Sequence, residues 1–135
     1  MFYSVEVTVP ANTPATSPVL REVLLTPGVV QQVDVQFPSG CVGLVRTLCR
    51  RGTHQVWPSN EGASFVGNNQ TISWQDDYEL EAAPFVLRLF AWNLDDTYEH
   101  TIIWRLSVRN FTLDAQRQIA LARFAEALQQ LEVEV

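Results

Sequence analysis

Apolar and polar residues alternate with a period of two through most of the first 110 positions. In "FYSVEVTVP", Tyr3, Val5, Val7 and Val9 share one face and Ser4, Glu6 and Thr8 the other, as in a strand buried on one side. Further runs of this kind are "VLREVLLT", broken by Pro27-Gly28, and "VVQQVDVQF", which aligns Val33, Val35 and Phe37 and stops at Pro38-Ser39-Gly40. "VGLVRTLC", "THQVW", the short "QTISW" and "PFVLRLFAW" follow. In "HTIIWRLSVRN", Ile102, Trp104, Leu106 and Val108 alternate against Ile103, Arg105, Ser107 and Arg109. About eight short strands with turn residues every 8 to 12 positions, and no intervening helical stretch, predict one antiparallel β-sandwich of jelly-roll type over residues 1–110. The Pro-rich "PANTPATSP", residues 10–18, reads as an ordered surface connector between sheets or along an edge.

The period changes after residue 110. Leu121, Phe124, Leu128, Leu131 and Val135 recur at spacings of three and four within Ala-rich sequence, so residues 111–135 predict an amphipathic C-terminal α-helix. Thr112 is suited to cap it, and Asp114 sits in its first turn, where the helix dipole favours a carboxylate. The stripe Leu121, Phe124, Leu128 and Leu131 has two possible partners: the chain's own sandwich, or the same helix in other copies.

Composition narrows the function. The size is that of one domain, and no apolar run is long enough to cross a membrane. The amino terminus alternates and has no basic n-region, which predicts a chain without a signal peptide that starts in a cytoplasm. Fifteen acidic against nine basic residues, all arginine, argue against a nucleic-acid partner, which needs a basic stripe to displace counterions. Cys41 and Cys49 lie about 26 Å apart if "CVGLVRTLC" is one strand, too far for a disulfide, and are expected to be buried free thiols.

Two acidic stretches, "WQDDYELE" at 74–81 and "AWNLDDTYEH" at 91–100, are the candidate places for chemistry. Asn93, Asp95 and Asp96 are turn-forming residues, and the second stretch is expected to be a hairpin connection. A calcium site would have to draw Asp95 and Asp96 together with Asp76 and Asp77 from the other stretch, treated as a loop at the same end of the sandwich. No such site, and no other metal or cofactor, is expected. His54 and His100 lie in no nucleophile motif, no phosphate loop is present, and the chain is not expected to be an enzyme. Of the four tryptophans, parity puts Trp74 and Trp104 in the core, while Trp57 and Trp92 are candidates for stacking on a sugar ring.

The stretches "FPSGCVGLV", "HQVWPSNEG", "TISWQDDYEL" and "AWNLDDTYEHTI" resemble small β-sandwich proteins found among the structural genes of tailed phages and prophages. The resemblance covers about residues 1–110 and leaves the helix aside. It implies a virion component, such as a capsid decoration or head-tail accessory protein, assembled in the host cytoplasm in many copies. Its partners would be itself, a trimer being one form, and other virion proteins, without nucleic acid or membrane. A carbohydrate- or surface-binding module, with or without calcium, is the alternative.

Overall fold

The computed structural model describes the backbone of residues 1–110 and 113–134 and the side chains of 1–110 and 118–130. Nine strands precede one helix: β1 Phe2–Val9, β2 Val19–Leu24, β3 Gly28–Phe37, β4 Val45–Arg51, β5 His54–Trp57, β6 Phe65–Val66, β7 Gln70–Leu80, β8 Val86–Asn93, β9 His100–Arg109 and α1 Leu113–Glu134. They form two antiparallel sheets, ordered β1-β9-β3-β7 and β2-β8-β4-β5. The two-residue β6 pairs with β4 beside β5. Apart from β6, eight strands wind back and forth between two sheets, which is the expected jelly roll.

Alternation explains what is buried. Val7 and Val9, Val33, Val35 and Phe37, Leu87, Leu89 and Ala91, and Ile102, Trp104, Leu106 and Val108 point inward and form one core between the sheets. Pairing slips by one residue between Val30 and Gln32, so Gln31 and Gln32 are both exposed and the alternation of β3 restarts at the buried Val33. A polar link crosses the core: Thr47 Oγ1 donates to Phe90 O at 2.7 Å and accepts from Trp104 Nε1 at 3.1 Å, joining the two sheets.

Several boundaries differ from expectation. Residues 41–44 form a turn closed by Leu44 N donating to Cys41 O at 2.8 Å, so "CVGLVRTLC" is not one strand. "WQDDYELE" is not a loop: it completes the 11-residue β7, with Trp74, Asp76, Tyr78 and Leu80 turned inward and Gln75, Asp77 and Glu79 outward. The connection after β8 is not a hairpin, because β8 and β9 belong to different sheets. Residues 94–99 carry the chain across the sandwich, as residues 10–18 do between β1 and β2.

Candidate functional site

Asn93 organises the crossing from β8 to β9. Fully buried, it donates through Nδ2 to Val9 O at 3.2 Å and Tyr98 O at 2.9 Å, and its Oδ1 accepts from Asp95 N at 2.9 Å. Asp95 then accepts through Oδ1 from the amides of Thr97 and Tyr98, at 2.9 and 3.3 Å, and its Oδ2 lies 2.9 Å from His100 Nε2. The hydrogen bond to His100, with those from the turn amides, holds the Asp95 carboxyl below its ordinary pKa. Asp96 accepts from Thr97 Oγ1 at 2.8 Å. These carboxylates fold the chain, as their turn-forming chemistry predicts, but around a crossover between sheets.

The other two aspartates are elsewhere. Asp76 Oδ2 accepts from Trp57 Nε1 at 2.8 Å and its Oδ1 from Asp77 N at 2.7 Å, while Asp77 faces Arg109 at 3.8 Å. Gln75 is level with Ser107 across β3, whereas Asp95 binds His100 at the start of β9. Seven residues of strand, about 23 Å, separate these levels, so the acidic stretches occupy opposite ends of the sandwich. The shared calcium rim is therefore not formed, and no group of three or more metal-ligating side chains occurs among the described residues.

Trp57 is not available for stacking. It is only 3% exposed, its indole N–H is bonded to Asp76, and it meets Trp74 and Tyr78 edge-on at 6.0 and 5.5 Å. With Phe65 and Trp104 these rings form the aromatic part of the core. Cys41 and Cys49 are buried free thiols, both pushed up in pKa by burial, Cys41 further by the Asp95 charge.

Trp92, in contrast, points out of the β2-β8-β4 sheet and is half-buried. Cross-strand pairing sets Leu20, Phe90 and Leu48 in one outward row, Glu22, Arg88 and Arg50 in the next, and Trp92 opposite Arg46. Leu48, Phe90 and Trp92 floor a surface cleft of about 370 Å³, walled by Pro18 of the first crossover and Gly62 of the β5–β6 loop, with Arg50 at its side. The buried Gln55 fixes that loop by donating to the carbonyls of Pro58, Asn60 and Ala63 at 2.8, 3.1 and 3.0 Å. Arg50 and Arg88 lie over the Phe90 ring, at 5.9 and 5.2 Å. Both make long, exposed ion pairs: Glu61 is 3.7 Å from Arg50, and Glu22 is 3.8 Å from Arg88. The opposite outer face holds a larger cleft, of about 470 Å³, but a polar one without an apolar floor, lined by Gln31, Gln32, Gln75, Asp76, Asp77 and Arg109. Sequence reading found Trp92 but missed Phe90, Arg50 and Arg88, because only the strand pairing brings them together.

The helix offers a second surface. Every described side chain on it, from Gln118 to Gln130, is exposed. Leu121, Phe124 and Leu128 do not pack on the sandwich, and Phe124 is 63% exposed. Ile119 is also exposed, on the other side of the helix. The side chain of Leu131, like Thr112 and the side chain of Asp114, lies outside the described residues.

No protein-family model matches the chain, and no curated protein matches it in sequence. Among solved structures, a similar one is described as "Crystal structure of PirA", with 16% identity over 78% of this chain and 94% of the other, and a TM-score of 0.43.

Proposed function

We propose that this chain is a non-enzymatic assembly protein whose copies associate through α1, leaving the jelly-roll domains outside the contact. The observation that supports this is the exposed row Leu121, Phe124 and Leu128. Their spacing of three and four is that of the a and d positions of a coiled-coil seam. At the level of Phe124 and Leu128 the flanking positions are Ala125 and Ala127, so two such helices approach there without bulk or like charge. The charged Arg123 and Glu126 fall away from the row. An apolar row left in water stabilises nothing, and covering it with the same row from another copy removes that surface from solvent. Assembly within a virion is carried by the sequence resemblance alone.

Cysteine trapping tests which face meets. Phe124 and Glu126 both lie near the middle of Leu113–Glu134, so residues at either position would meet their counterparts in parallel or antiparallel pairs only if they face the seam. The native thiols are buried, leaving the introduced one to react. Mild oxidation should link Phe124→Cys into covalent multimers and leave Glu126→Cys unlinked. Equal linking of both, or of neither, would remove the helix from the interface.

A further inference from the structure

We infer that the cleft on the outer face of β2, β8 and β4 binds an acidic saccharide, a sugar ring bearing a carboxylate. A solvent-facing side of an antiparallel sheet ordinarily carries polar residues. Here Leu48, Phe90 and Trp92 form a continuous apolar floor lined by Arg50, with Arg46 and Arg88 beside it by strand register. These are three of the nine arginines in a chain of net charge −6, gathered on one face. Set against Glu22 and Glu61, the three arginines leave an excess of positive charge that favours an anion, and a planar guanidinium pairs with a carboxylate through two parallel hydrogen bonds. Arg50 is placed for this, since it lines the cleft and its present carboxylate partner, Glu61, is exposed and 3.7 Å away.

The floor selects the rest of the ligand. The indole of Trp92 offers a flat apolar face beside solvent, suited to the C–H face of a pyranose whose hydroxyls stay hydrated at the open side. A volume of about 370 Å³ is at the small end of ligand pockets and fits one or two rings. Pro18 and Gly62 set the width of the cleft from opposite sides, and Gln55 holds the Gly62 loop in place. The inference does not depend on α1, because the cleft is made within one sandwich.

The test titrates digalacturonate into the full-length protein, by calorimetry and tryptophan fluorescence, beside the neutral disaccharide digalactose and the aromatic acid benzoate. Digalacturonate should bind, digalactose at least about tenfold more weakly, and benzoate no better than digalactose. Arg50→Gln and Trp92→Ala should each weaken digalacturonate binding about tenfold or more, while Arg109→Gln, on the other sheet, should not. Trp92→Phe retains a stacking ring and should recover part of the loss, separating a lost platform from a disturbed fold. No binding at about 10 mM ligand, equal binding of the two disaccharides, tighter binding of benzoate, or indifference to Arg50→Gln would each overturn the inference. A chain that stays monomeric but binds digalacturonate would fail the assembly reading and leave this one standing.

Discussion

The Asn93 side chain reaches back 84 residues to donate to Val9 O, tying the end of β8 to the end of β1 where the chain crosses from one sheet to the other. Tyr98 O and Asp95 N use the same side chain, so one buried amide closes three backbone groups. Asn93→Ala would leave those groups without partners, at a cost of about 2–4 kcal/mol. Urea unfolding should show this loss, whereas Asn12→Gly, which removes one exposed bond at 3.3 Å to Asp96 O and suits the left-handed backbone there, should change stability by under about 0.5 kcal/mol.

Acid should act on the same turn. The Asp95 pKa is lowered in the folded protein by His100 and the turn amides, so its contribution is present above the unfolded value, near about 3.9, and is lost as pH falls through the folded value. Thermal unfolding followed from pH 7 downward should fall in this acid range. Asp95→Asn should be less stable at pH 7 and show a shallower acid dependence. An unchanged acid profile would mean that the Asp95 hydrogen bonds do not couple to folding.

Calcium should leave the protein unmoved. Asp95 is engaged by His100 and two amides, Asp76 by Trp57 and an amide, and the two lie at opposite ends of the sandwich. Scanning calorimetry with millimolar calcium or with EDTA should give the same melting temperature. A rise with calcium would require these hydrogen bonds to be replaced by coordination.

The edge strand β7 depends on its charge. It ends the β1-β9-β3-β7 sheet and exposes Asp77 and Glu79 outward, where like charges discourage pairing with another copy. The neighbouring Glu81 carboxylate, able to share a proton with Glu79 and repelling its charge, raises the Glu79 pKa, so this residue loses its charge earlier on acidification than an isolated glutamate. Asp77→Val with Glu79→Val should increase light scattering on concentration, and wild-type scattering should rise on acidification before the core unfolds. If the double variant stayed as dispersed as wild type, the acidic residues would not be guarding the edge.

The strands were legible because burial on one side imposes a period of two, and Ile102, Trp104, Leu106 and Val108 all follow it. Their neighbours were not, since pairing joins residues as distant as Phe2 and Ser107. This is why a crossover between sheets looked like a hairpin. β7 looked like a loop because acidic residues on an exposed edge resemble loop composition, although the parity of Trp74, Asp76, Tyr78 and Leu80 already carried the strand. Trp57 sits beside Pro58 at a strand end, where exposure is common, and only the fold supplies Asp76 as a partner for its indole. The cleft was half visible. Trp92 is marked by its place at a strand end, but Leu48 and Phe90 become its neighbours only through the register of β4 on β8.

Association through α1 would show in the mass of the particle in solution. Sedimentation equilibrium of the full-length chain should give a multiple of 15.3 kDa, and the triple variant Leu121→Gln, Phe124→Gln, Leu128→Gln should sediment as the monomer with unchanged sandwich stability. A wild-type chain that remains at 15.3 kDa throughout the concentration range, or a triple variant that assembles as wild type does, would contradict it.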